Sequence, residues 1–129
     1  MTASTEVSTQ PKGELLAIVE LGGYPDFSPV YQQAGYQVEV SNSMRNAIRT
    51  LKKLQPSVIV AEFNFQSDFR DRSSNLESLL AVVQRMPETK VIVFYEEEFA
   101  TQFLRVSSRF PIHKAIAFPV NIEELKAAL

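Results

Sequence analysis

The chain has 129 residues, a mass of 14.5 kDa and a formal net charge of −2, the size of one ordinary domain able to bury its own core. With 45% hydrophobic and 22% charged residues it has a soluble globular profile, and the charge gives no overall pull toward nucleic acid or an anionic membrane. It has no cysteine, which excludes disulfides, thiolate catalysis and cysteine-based metal sites, and its longest apolar runs fall far short of the roughly 20 residues that span a bilayer.

Residues 1–12 are rich in Ser and Thr and lack an apolar targeting core, so a disordered lead-in is expected there, with the cytoplasm as the default compartment. Residues 15–21 (LLAIVEL) form a nearly continuous apolar run ended by Gly22 and Gly23, as expected of a strand buried on both faces. Ser28 offers an N-cap with Pro29 at the first helical position, and Gly35 a natural stop. Residues 36–40 (YQVEV) alternate, which predicts a half-buried strand at or near a sheet edge.

From Ser43 the period changes. Met44, Ala47, Ile48, Leu51 and Leu54 fall at helical spacing, and Pro56 closes that helix. Residues 58–61 (VIVA) read as the next buried strand. Ser74 with Glu77 makes a capping box in front of Leu76, Leu79, Leu80 and Val83, and Pro87 ends this third helix. Residues 91–94 (VIVF) are a fourth strand. Residues 99–110 form a fourth helix with Phe103, Leu104 and Val106 as its packing residues, and residues 115–118 (AIAF) form the fifth strand. Asn121 caps a last helix, with Glu124 at its third position. Five strands alternating with five helices through short connections require parallel strands, right-handed crossovers and helices on both faces of the sheet. In such open sheets the functional crevice lies at the carboxyl ends of the strands, near the topological switch point.

Two stretches resemble the receiver domains of two-component response regulators. Residues 56–62 (PSVIVAE) look like the family's third strand, and residues 115–121 (AIAFPVN), followed by IEEL, resemble its fifth strand, Lys-Pro turn and last helix. The resemblance covers about residues 15–129. It implies a flavodoxin-like three-layer α/β fold with a five-stranded parallel sheet in the order 2-1-3-4-5, taken here as one domain over residues 13–129.

The resemblance also implies a phosphorylation site, and its positions are degenerate. The family's acidic pair falls on Glu20 and Leu21, the phospho-accepting aspartate on Glu62, the Ser/Thr on Tyr95, and the lysine before Pro119 on Phe118. Mg²⁺ demands near-octahedral oxygen coordination, and phosphoryl transfer depends on positioning and charge neutralisation, which Phe118 does not supply. Glu62 also carries its carboxylate one methylene too far. Glu62 could act as a fixed negative charge mimicking phosphoaspartate, but the plainer reading is a solvent-facing strand end that tolerates Glu. Tyr95 and Phe118 are expected to form a static hydrophobic plug in place of the polar site.

The remaining features carry weaker signals. Residues 63–73 (FNFQSDFRDRS) are long for a loop after strand three, and Phe63, Phe65, Asp68, Phe69 and Arg70 make it the expected partner-binding segment. Residues 96–98 (EEE) and the line of Arg45, Arg49 and Lys53 read as solvated charge. His113 stands alone, so neither a metal site nor a triad is expected, and Gly22-Gly23 lacks the spacing of a phosphate loop. The expectation is a pseudo-receiver: not an enzyme, without cofactor or metal, and monomeric or weakly dimeric. It would bind a signalling protein or a following output domain and neither nucleic acid nor membrane. The rival readings are an unorthodox phospho-receiver holding a metal on Glu20 and Glu62, and a flavodoxin-like small-molecule binder using the same crevice.

Overall fold

Strands β1 (Gly13–Ile18), β2 (Tyr36–Ser41), β3 (Val58–Glu62), β4 (Lys90–Tyr95) and β5 (Lys114–Ala117) form one sheet in the order β2-β1-β3-β4-β5, every neighbouring pair parallel. The structure, a computed structural model, describes residues 13–20, 24–64 and 76–129, so the expected tail over 1–12 lies outside the described residues. Among the described residues five helices connect and follow the strands: α1 (Ser28–Gln33), α2 (Met44–Thr50), α3 (Leu76–Val83), α4 (Ala100–Ser107) and α5 (Ile122–Ala128). A 3₁₀ turn, Glu97–Phe99, leads into α4. The fold class and strand order are those expected from the sequence.

Strand alternation divides the core in two. On one face Leu16, Ile18, Ile59, Ala61, Val91 and Val93 pack with Met44 and Ala47 of α2, Leu79 and Leu80 of α3, and Phe103 and Val106 of α4. On the other, Leu15, Ala17, Val58, Val60, Ile92, Phe94 and Ile116 pack with Tyr31 of α1 and Leu125 and Ala128 of α5. Every residue of β3 is buried, which is why its sequence reads as an unbroken run.

The edge strands differ from this interior. β2 pairs only with β1, and among the described residues no strand lies beyond it. Its middle residues, Gln37 to Val40, are exposed or half-exposed, consistent with the alternation of its sequence. β5, at the other edge, has four residues, opens on Lys114 in an ion pair with Glu124 (3.0 Å), and is followed by Pro119.

Local signals explain the helix ends. Ser43 accepts the Asn46 N–H at 3.1 Å, and Asn121 accepts the Glu124 N–H at 2.9 Å, so both expected caps form. Gly35 follows the end of α1 with φ +102°, a left-handed conformation that favours glycine. Gly13 is held more tightly: at φ +137° an added Cβ would lie 2.2 Å from the Ser57 Oγ.

Four details correct the sequence reading. β1 ends at Ile18, so Glu20 stands beyond the strand and not at its tip. Ser28 is the first residue of α1 and not its cap; its N–H donates to Asp26 Oδ1 at 3.0 Å, two residues earlier. Leu104 is 64% exposed, because α4 turns Phe103 and Val106 inward and has no room for a third neighbour on that arc. Glu77 is buried, and its carboxylate takes a hydrogen-bonded ion pair from Arg109, just beyond the end of α4. The Ser74 half of the expected capping box lies outside the described residues.

Candidate functional site

The carboxyl ends of β1, β3, β4 and β5 bring the expected positions to one rim of the sheet. Glu62 ends β3 and is 4% exposed, which removes the reading of a solvent-facing strand end. In register it pairs with Phe94 of β4, so its side chain starts on the face covered by α1 and α5. Burial of a carboxylate is costly unless it is partnered. Here the Asn64 amide donates to Glu62 Oε1 and to Glu20 Oε1, both at 3.4 Å. One amide therefore ties together the two acidic positions that the sequence singled out.

Two carboxylates so arranged do not make the receiver's metal site. Among the described residues no group of three or more His, Cys, Asp or Glu side chains is placed to hold a metal ion. Mg²⁺ binding of the receiver kind needs a fuller and stricter oxygen set. The described residues do not fit that ion. Leu21, the other member of the family's acidic pair, lies outside the described residues.

Tyr95 and Phe118 do not form a single plug. β4 and β5 pair Tyr95 with Ala117, so Phe118 is one step out of phase and turns to the opposite face. Tyr95 stacks on Phe103 with centroids 4.8 Å apart and an interplanar angle of 15°, and Phe103 in turn contacts Phe63 at 5.3 Å. Phe118 instead meets Tyr24 edge-on at 5.4 Å and is 43% exposed. Its N–H donates to the Tyr95 carbonyl at 2.8 Å, and its peptide bond to Pro119 is cis.

Phe63 leaves the expected partner-binding segment. It is 2% exposed and belongs to the core beside α4, with its N–H bound to the Phe94 carbonyl at 2.8 Å. An aromatic residue directly after an inner strand keeps the strand's alternation and points inward. Phe65, Asp68, Phe69 and Arg70 lie outside the described residues.

The residues that sequence reasoning missed lie on the α1 face. Tyr24, in the turn before α1, packs on Phe94 at 5.3 Å, and Phe27 packs on the same ring at 5.5 Å. With Tyr31 these rings line a cavity of about 290 Å³ that opens between the ends of β1 and β3, at the switch point of the sheet. Asp26, Ser28, Asn42 and Glu62 supply its polar edges. The Tyr24 hydroxyl is buried and has no hydrogen-bond partner among the described residues.

The electrostatics of this cavity are negative. Burial, and then the carboxylates of Glu96 and Glu62, push the Tyr24 hydroxyl far above its ordinary range. Burial, followed by Asp26 and Glu62, does the same to Tyr31. Asp26 moves the other way: hydrogen bonding from Ser28 holds its carboxyl below the usual value, so it is ionised throughout the neutral range.

No family model matches the sequence, and no curated protein does. Solved structures match the fold well. The chemotaxis response regulator CheY4 of Vibrio cholerae is 20% identical with a TM-score of 0.67, covering 94% of this chain and 100% of its own. The signal receiver domain of an HD domain-containing protein from Pseudomonas fluorescens is 14% identical with a TM-score of 0.69, over 92% and 90%. A streptococcal redox sensor evolved from two-component response regulators is 20% identical with a TM-score of 0.67, over 89% of this chain and 48% of that one. The chain spans about a quarter of NtrX from Brucella abortus, matched at a TM-score of 0.69 and 12% identity. Among the described residues no helix is long and apolar enough to cross a membrane. The chain has the fold of a response regulator receiver domain.

Proposed function

We propose that this chain is a pseudo-receiver, a regulatory domain of bacterial two-component signalling that acts by binding a protein and not by phosphotransfer. One observation carries the reading. Phe118, at the position where the family places its lysine, points an aromatic ring at Tyr24, so the rim offers no cation there to a phosphoryl group. The stacking of Tyr95 on Phe103 supports it, since that hydroxyl position has been absorbed into aromatic packing. Phosphate chemistry needs charge neutralised at fixed geometry, and the described rim is acidic and aromatic instead. On this reading the domain over residues 13–129 is no enzyme and works in the cytoplasm. Its partner is a signalling protein or an output domain, engaged through the segment that carries Phe65, Asp68, Phe69 and Arg70.

The test is incubation of the full chain with a small phosphodonor and Mg²⁺, followed by intact-mass measurement. The expected result is no stable gain of a phosphoryl group, under conditions where an ordinary receiver run in parallel is labelled. Stoichiometric labelling that Glu62→Gln abolishes would overturn the proposal in favour of an unorthodox acceptor.

A further inference from the structure

The cavity at the switch point combines features that phosphate chemistry does not need. Its walls carry four aromatic rings, Tyr24, Phe27, Tyr31 and Phe94, and its edges carry the carboxylates of Asp26 and Glu62. Among the described residues that line it there is no Lys, Arg or His. A volume of about 290 Å³ suits a metabolite the size of one ring with a short substituent, at the lower end of small-molecule sites. A nucleotide or flavin mononucleotide fails here on two counts: it is too large, and its phosphate would face carboxylates with no counter-charge beside them.

We propose that this cavity binds a small organic cation with an aromatic or compact apolar body, of the arylalkyl-ammonium class. Ring faces attract a cation through their quadrupoles, and enclosure strengthens that attraction by thinning the water around it. Asp26, fixed by its bond to the Ser28 N–H, places a formal negative charge at the mouth. The apolar walls from Ala17, Ile18, Val60 and Phe94 then cover the body of the ligand. The carboxylates of Asp26 and Glu62 at the cavity's edges also favour a positive guest and disfavour a negative one. The inference concerns this cavity alone and holds whether or not the chain takes up phosphate.

The experiment is a two-dimensional amide NMR titration of the full chain with three probes of matched shape: benzylamine, benzyl alcohol and benzoate. Benzylamine, protonated at neutral pH, is expected to shift the amides of residues 17–19, 24–31 and 60–62. It should bind at least about tenfold more tightly than benzoate, with the alcohol between them. Asp26→Asn, at an exposed position, should weaken benzylamine by about threefold to fivefold without altering the benzyl alcohol affinity or the melting temperature. Tyr24→Leu should weaken both benzylamine and benzyl alcohol. Benzoate binding as tightly as benzylamine would overturn the proposal. So would shifts lying outside the cavity, the absence of shifts at millimolar benzylamine, or an Asp26→Asn chain that keeps the full preference for the cation.

Discussion

The two faces of the sheet end differently at the same rim. On the side of α2, α3 and α4 the rings of Phe63, Phe103 and Tyr95 pack on one another and the buried Glu77 is met by Arg109, while a shallow groove lined by Glu20, Met44, Arg45, Ile48 and Ser78 runs between α2 and α3. On the side of α1 and α5 the rings of Tyr24, Phe27 and Phe94 stand around a space, and a tyrosine hydroxyl is buried without a partner among the described residues. Both faces belong to one sheet and share the same strands, so the contrast comes from what covers them. Where a turn covers them, as residues 24–27 do, the roof is thin and a cavity remains.

This contrast can be broken by removing one ring from each side. Phe63→Ala should cost about 3–5 kcal/mol in urea denaturation, the usual result of emptying a packed aromatic position. Phe118→Ala, at a half-exposed ring, should cost no more than about 1–2 kcal/mol. Equal losses would mean that the α1 side is as well packed as its opposite.

Alkali sharpens the comparison next. Tyr24 and Tyr31, both on the cavity side, have hydroxyl pKa values raised above the ordinary 10.0. Tyrosine is charged when deprotonated, so raised folded values mean that the folded chain holds protons the unfolded chain would release. The stability they contribute is complete below about pH 10 and is lost as the pH climbs above it. In an ultraviolet titration of the four tyrosines, those of the cavity should ionise together with loss of far-ultraviolet circular dichroism, well above pH 10. Early ionisation in a still-folded chain would show the cavity to be wet and open.

The smallest effect has the most telling sign. Tyr24→Phe deletes a buried hydroxyl that no described residue satisfies, so stability should stay within about 0.5 kcal/mol or rise by up to about 1 kcal/mol. A clear loss of stability would mean that the hydroxyl has a partner, such as ordered water, in the ligand-free protein.

Much of the fold was legible because parallel strands buried on both faces leave unbroken apolar runs, as in VIVA and VIVF, and because Pro56, Pro87 and Pro111 punctuate the helices between them. The edge position of β2 followed from its alternation. The site was harder. Which face Phe118 takes depends on the pairing of Tyr95 with Ala117, and register between strands joined by a whole helix has no local signature. Phe103 and Leu104 are adjacent and both apolar, so spacing alone could not say which one α4 turns inward. Tyr24 sat in a segment readable only as a turn. Glu62 looked solvent-facing because nothing in its own neighbourhood announces the residues that cover it.

The unequal edges of the sheet have a consequence for assembly. An unpaired strand edge is a row of open hydrogen-bonding groups, and nature blunts such edges with shortness, lysine and proline. β5 carries all three, with four residues, Lys114 at its start and Pro119 just after it. β2 has six residues, no proline and no lysine. In the language of polymers, a unit with two reactive ends propagates and a unit with one terminates. Among the described residues only the β5 edge is blunted, which gives the sheet a functionality of one in edge pairing: two copies joined through β2 would leave only blunted edges outward.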